Sequence, residues 1–473
     1  MRARATRPGH GAGSDEVTAV TFGPAADRRN AADRAHRGDL EGALGVISAF
    51  DTGPRRGAGR RLAALTAVLG PGLVVMAADN DAGGISTYAQ AGQDYGVRIA
   101  WLVVLLVPVL FVCQEMAARL GAVTGAGHAR LITARFGRRW GGFALADLLA
   151  LNLLTLVTEF VGVSLSLGYF GISRLVSVPV AAAFLIAVTV PGSFRGWERA
   201  MYVLIAASLA AVPLAAIAWA HRGQAAASES AGAAHGGAVF LAVALVGTTV
   251  APWQLFFQQS NVIDKRITTR FLGYERADTA LGTVLFAVGA LGVLLACALV
   301  LGQRSAFGAA GLHGAFTDAA VQALAGVLLP SATVFLLLLL CNDREVLGPL
   351  VNPRWLNVLA ATVIGALLGL SALLTATTIV PRLPLAPAVT GLAIAIGVLV
   401  AGAALIASRA RPAPAPAPGP ADRRTWTMPP IESLSPPARS AWRTLGLVVL
   451  RCYLLAAVTV LAVRAIQLAL GAS

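Results

Sequence analysis

Residues 70–96 read GPGLVVMAADNDAGGISTYAQAGQDYG, and the fold turns on how this stretch is understood. Both ends are apolar enough to enter a bilayer, yet Asp79, Asn80 and Asp81 followed by Ala82-Gly83-Gly84 occupy the middle. A carboxylate at the centre of a membrane helix costs about 2.5–3.5 kcal/mol on insertion scales, so it faces a partner, a cavity or a permeating ion. The glycine pair weakens the helix at the same point. Backbone carbonyls freed by such a break can point at a cation, as in transporters built on discontinuous helices.

The rest of the chain agrees with a membrane setting. Of its 473 residues 57% are hydrophobic and 13% charged, the mean hydropathy is +0.72, and apolar runs reach spanning length repeatedly. The reading is an all-α polytopic membrane protein. The net charge of +14 lies in the N-terminal stretch and in alternate loops, with no basic soluble module, which excludes a nucleic-acid-binding protein. Cys113, Cys297, Cys341 and Cys452 stand singly inside apolar runs, without disulfide or zinc-ligand spacing.

Residues 1–61 are rich in Arg, Gly, Ala and Asp and predict a disordered basic cytoplasmic tail, with no apolar core before Leu62 to serve as a signal peptide. Residues 62–407 predict the transmembrane domain, 408–443 a Pro/Ala-rich cytoplasmic linker containing RPAPAPAPGP, and 444–473 an additional C-terminal transmembrane helix. About eleven spans are expected, near 63–92 (broken), 97–121, 142–168, 173–191, 198–220, 238–261 (broken), 278–302, 320–341, 356–376, 386–407 and 444–469. Arginines collect after the even-numbered spans, for example Arg130, Arg135, Arg138 and Arg139 after the second. That alternation places the N-terminus in the cytoplasm of a multi-pass protein of the plasma membrane. His128, His221, His235 and His313 fall in loops and read as solvated; Glu115 and Arg119 read as an i,i+4 ion pair, and Asp147 as structural.

The sixth span repeats the anomaly of the first. In LAVALVGTTVAPWQLFFQQSNVIDK (241–265), Gly247, Thr248, Thr249 and Pro252 sit mid-span, followed by Gln254, Gln258 and Gln259. Pro252 removes a donor and turns Ala251 away from the α conformation, freeing carbonyls near Thr248 and Thr249. Two broken spans five helices apart predict an inverted repeat with the substrate where the breaks meet. The ligands offered there are hard oxygens: the carboxylate of Asp79 or Asp81, the amides of Asn80 and Gln254, the hydroxyls of Thr248 and Thr249, and exposed carbonyls. Such a set suits Mg²⁺, Mn²⁺ or Ca²⁺.

These residues resemble the NRAMP family of divalent metal transporters. The family's first-helix Asp-Pro-Gly-Asn is similar to Asp81-Ala82-Gly83-Gly84, followed by Gln90-Ala91-Gly92 and Tyr95-Gly96; its sixth-helix Met-Pro-His-Asn is similar to Ala251-Pro252-Trp253-Gln254 after Gly247-Thr248-Thr249-Val250. Gln114 with Arg119-Leu120-Gly121, Glu159-Phe160-Val161-Gly162, Phe194-Arg195 with Glu198, and Asn352-Pro353-Arg354-Trp355 extend the likeness over roughly residues 62–376. It implies a leucine-transporter-type fold with broken helices 1 and 6, and a metal site of Asp81, Ala78, Gly84, Thr248, Ala251 and Gln254. Glu159, Asp79 and Asn80 are the candidate proton or polar relay. The departures point to the Nramp-related magnesium transporter branch: Ala251 stands where the family has Met, Trp253 where it has His, and Leu149 and Leu156 where it has acids. Without the thioether the preference for transition metals weakens, and proton coupling is expected to be weak or missing. Residues 303–341 supply one helix where the family has room for about three, so two helices of the second repeat are expected to be missing.

The expected function is transport of a divalent cation, Mg²⁺ or Mn²⁺, with no cofactor besides the transported ion and with the lipid bilayer as surroundings. The rival readings are a membrane-embedded Mg²⁺-dependent enzyme acting on a diphosphate, which lacks a second acidic cluster, and a non-transporting scaffold. The alternative for the site itself is that Asp79 and Asp81 are buried structural carboxylates paired with Arg98 or with another span's polar group.

Overall fold

A computed structural model describes residues 38–51, 57–190, 192–220, 235–301, 330–379 and 426–434, with scattered positions elsewhere. Fifteen helices can be followed among them, beginning with α1 (Ala58–Val68), α2 (Pro71–Ala78), α3 (Ala82–Tyr95) and α4 (Ala100–Thr124). Next come α5 (His128–Phe136), α6 (Arg138–Tyr169), α7 (Arg174–Thr189), α8 (Phe194–Ser208) and α9 (Ala211–Ala220). The second half holds α10 (His235–Thr249), α11 (Pro252–Asp264), α12 (Leu272–Ala296), α13 (Pro330–Cys341), α14 (Arg344–Leu347) and α15 (Arg354–Ile379).

Among the described residues four helical stretches are long and apolar enough to cross a membrane: Ala82–Thr124, Arg138–Tyr169, Phe194–Ala220 and Thr269–Leu299. A fifth exists if α1 and α2, bent by 49° to each other, make one span. This is fewer than the expected eleven because interruptions divide apolar runs into helices of 8–16 residues, among them α2, α7 and α13. The spans expected near 386–407 and 444–469, and residues 302–329, where two helices are expected to be missing, lie largely outside the described residues.

The core gathers around α4. Every residue from Val112 to Ala126 is buried, an all-round burial expected of a central helix rather than an amphipathic one. Met76, Tyr88, Leu245, Phe286 and Leu336 join it from α2, α3, α10, α12 and α13 in one apolar cluster. By contrast α6, α7 and α8 expose Leu149, Leu153, Phe184 and Val203. So large an exposed apolar patch is rare on a water-facing surface.

Two expectations fail at the arginine-rich face. Residues 40–47, placed in a disordered tail, form an antiparallel hairpin of β1 (Leu40–Gly42) and β2 (Gly45–Ile47). Leu40 and Ile47 bury themselves against Ala64, Ala67, Val68 and Phe271, enough apolar surface to order a short segment whose composition alone looks unfoldable. Ala43 N–H donates to Glu198 Oε2 at 2.6 Å, and Glu41 pairs with Arg195 at 3.2 Å. Gly42 is needed for the close approach: a Cβ there would lie 2.3 Å from the Ala67 carbonyl. Gly42→Val is therefore expected to undock the hairpin, at about 1–3 kcal/mol, read as faster tryptic cleavage at Arg55; unchanged cleavage would show that the hairpin is not held there. His128, expected to be solvated, is buried with Nδ1 2.7 Å from Gln259 Oε1 and its ring edge-on to Phe256. Burial pushes its imidazole down to about 4, so it is neutral at pH 7. His235 opens α10, while His221 and His313 lie outside the described residues.

Below the hairpin, at the α1–α2 bend, Lys265 is wholly buried with Nζ 2.5 Å from Glu198 Oε1 and also donates to the Leu69 carbonyl. Asp278 accepts from Gly70 N–H at 3.1 Å and Gly72 N–H at 2.7 Å, supplying partners for donors that the helix start leaves unpaired. Gly70 (φ 150°) has Glu198 Oε1 only 2.0 Å from where a Cβ would stand, so the bend requires glycine. The stretch 426–434, expected to be linker, docks as well: Met428 N–H donates to the Val123 carbonyl at 3.2 Å, and Trp426 covers Gly348.

Candidate functional site

The first interruption falls at Asp79–Asp81, between α2 and α3, and the glycine pair that seemed to cause it lies inside the first turn of α3. The cause is Asp81. In an extended conformation (φ −75°, ψ 175°) it caps α3, its Oδ1 accepting from Gly84 N–H at 2.6 Å. Glu159 of α6 accepts from Ala82 N–H at 3.0 Å, so two carboxylates meet the positive end of α3. Gly162, one turn further on, lets α6 approach to where a Cβ would be 2.6 Å from that of Ala82.

The second interruption falls at Val250–Ala251. Ala251 is extended (φ −96°, ψ 143°) and Pro252 is the first residue of α11, as the missing amide of proline favours. Thr248 and Thr249 turn their hydroxyls back onto α10, Thr249 Oγ1 donating to the Leu245 carbonyl at 2.6 Å.

A cavity of about 50 Å³ joins the two breaks, lined by Asp81 and Gly83 from the first, Gly247, Thr248, Ala251, Pro252 and Trp253 from the second, and Leu151, Leu154 and Thr155 of α6. That is room for a small cation with a few waters, each needing on the order of 10–15 Å³. Of the six expected metal ligands, Asp81, Thr248 and Ala251 meet here. Gly84 adjoins the cavity through its bond to Asp81, with its N–H committed. Ala78 is exposed at the end of α2 and does not line the cavity.

Gln254 goes elsewhere. Its Nε2 donates to Asp79 Oδ1 and, at 3.2 Å, to the Thr249 carbonyl, while its Oε1 accepts from Gln114 Nε2 at 3.2 Å. The expected Gln254 ligand is thus a partner of Asp79, because the first turn of α11 aims position 254 inward at α4, past the cavity. Asp79 is buried in this amide chain with Oδ2 unpartnered. Asn80 points the other way, Nδ2 donating to the Phe286 carbonyl at 3.4 Å, so it is no neighbour of Glu159 in a relay. Among the described residues neither aspartate pairs with Arg98, but Asp79 accepts from Gln254, a polar group of another helix, as the structural alternative expects of it; Asp147 accepts from Thr333 at 3.1 Å.

Among the described residues no three His, Cys, Asp or Glu side chains cluster as a resident metal site. One carboxylate, a hydroxyl, nearby backbone and space for water make instead an incomplete shell of hard oxygens. Sequence reasoning missed Thr155, Leu151 and Leu154 of α6, whose only signal was their place in the helix carrying Glu159.

A family model described as Natural resistance-associated macrophage protein-like matches residues 72–317 and 317–377. The chain is 30% identical over 319 residues to the divalent metal cation transporter MntH of Verminephrobacter eiseniae, covering 63% of this chain and 68% of that one. It is 28% identical over 331 residues to MntH of Burkholderia ambifaria, covering 66% and 70%. Among solved structures, the manganese transporter of Eremococcus coleocola in complex with an aromatic bis-isothiourea compound superposes with a TM-score of 0.54 at 17% identity, over 76% of this chain and 97% of that one.

Proposed function

Because the chain belongs to the Nramp family, whose members are multi-pass membrane transporters and not enzymes, we propose that it carries a largely hydrated divalent cation, Mg²⁺ or Mn²⁺, between the two interruptions by alternating access. The observation that carries this reading is the shared cavity, where Asp81 of the first break faces Thr248 and Ala251 of the second, residues 167 and 170 positions away in sequence (248 − 81 and 251 − 81). Asp81 supplies the charge, Thr248 and the freed backbone near Ala251 supply neutral oxygens, and water completes the shell. The ion itself is the substrate, and no further cofactor is needed.

Ion preference follows from the lining. Among the described residues no Met, Cys or His lines this cavity, so nothing in that lining rewards a soft ion over the more abundant Mg²⁺. Ala251→Met is expected to shift competition toward Mn²⁺ and Cd²⁺, by roughly tenfold for one added soft ligand. Competition assays in proteoliposomes with unaltered selectivity would refute the argument. Glu159 is the acid that α6 brings to the site, with Leu156 and Leu149 where the family has further acids, which supports weak proton coupling or none. The loop arginines support a cytoplasmic N-terminus in the plasma membrane.

A further inference from the structure

A second cavity, of about 400 Å³, lies between α4, the second turn of α12 and the start of α15. Phe111, Glu115 and Arg119 line it at i, i+4, i+8 along α4. Followed toward the other end of the helix, the same stripe passes through Val104 and Trp101, 56% and 63% exposed. Arg276 heads a matching stripe on α12 that continues into the exposed Val284 and Val288. On a multi-pass membrane protein these are lipid-facing stripes, and the cavity sits where both reach the arginine-rich face, with Trp355 at its rim, 65% exposed. Tryptophan at such a rim is the mark of the membrane–water boundary.

The charges in this hollow do not cancel. Among the described residues Glu115 is the sole carboxylate lining it, against the two guanidinium groups of Arg119 and Arg276. Arg276 donates through Nε and Nη2 to Glu115 Oε1 at 3.0 and 2.8 Å, leaving Nη1 without a partner among the described residues and its side chain 49% exposed. Arg119 lies 3.3 Å from the other Glu115 oxygen and donates to the Leu350 carbonyl and to Asn352, yet keeps a buried Nε unpartnered. An excess positive charge beside hydrocarbon is costly unless an anion accompanies it.

We propose that this cavity binds an anionic phospholipid, its phosphodiester on Arg276 and an acyl chain lying along Phe111, Val112 and Leu356. Basic pockets between membrane helices take such headgroups for the same electrostatic reason. The site is separate from the cavity at Asp81 and stands whether or not that cavity carries an ion.

Native mass spectrometry of the full chain with added phosphatidylglycerol or phosphatidylcholine tests it. Phosphatidylglycerol is expected to remain bound one to one under activation that strips phosphatidylcholine. Arg276→Gln should weaken it about fivefold, and Glu115→Gln, which removes the opposing charge, should tighten it about fivefold. A gain of affinity cannot come from misfolding, so the second variant keeps the test decisive. Equal retention of the two lipids, no tightening in Glu115→Gln, or displacement of the lipid by millimolar inorganic phosphate, which would mark a soluble-anion site, would each overturn the proposal.

Discussion

Asp81→Ala is expected to bring Mg²⁺- and Mn²⁺-dependent uptake into proteoliposomes down to background. Among the described residues Asp81 is the only carboxylate lining the cavity between the breaks, so its loss leaves a divalent cation with a hydroxyl, carbonyls and water. A charged ligand of this kind is worth about 1.5–3 kcal/mol, a roughly tenfold to hundredfold loss of affinity. The residue also caps α3, and losing a cap costs about 1 kcal/mol of stability, too little to unfold a protein of this size. Asp81→Ser separates the two roles, since serine caps a helix but carries no charge. Uptake should vanish in both variants, with thermal stability lowered only in the alanine one. Wild-type uptake by either would remove Asp81 from the transport site.

The second large effect concerns stability. Lys265→Met should destabilise the protein by about 3–5 kcal/mol, because removing one member of a buried ion pair strands the other. Here the stranded group is Glu198, 1% exposed, and the donor to the Leu69 carbonyl at the α1–α2 bend is lost with it. The bend also anchors the N-terminal hairpin through Glu198 and Ala43, so the hairpin should loosen in the same variant. Pairing Lys265→Met with Glu198→Gln removes both charges and should recover much of the loss. An apparent melting temperature equal to wild type in Lys265→Met would show that the pair is not stabilising, and failure of the double variant to recover would assign the effect to lost packing instead.

The comparison of Asp81 with Gln254 shows how far residue order reaches. Both belong to motifs legible in the chain, and both lie at a break that Asp or Pro chemistry makes predictable. Yet only Asp81 lines the cavity, while Gln254 serves Asp79. Each helical residue turns its side chain by about 100° relative to the last, so small differences in how two half-helices are rotated decide which neighbour a ligand meets. The hairpin at 40–47 was illegible for a related reason. Its few apolar residues are too sparse to order it alone, and become sufficient only against Ala64, Ala67 and Phe271 from other elements.

By itself the chain determined the class of fold, a polytopic helical membrane protein, and the helix start at Pro252, since hydropathy and proline sterics act over a few residues and can be read where they stand. Only the tertiary structure decided that Asp81, Thr248 and Ala251 share one cavity, that Lys265 and His128 are buried, and that an arginine-lined hollow opens between α4, α12 and α15. Those outcomes rest on contacts between helices far apart in sequence, where packing and desolvation, rather than local preference, choose among the rotations that hydropathy leaves open.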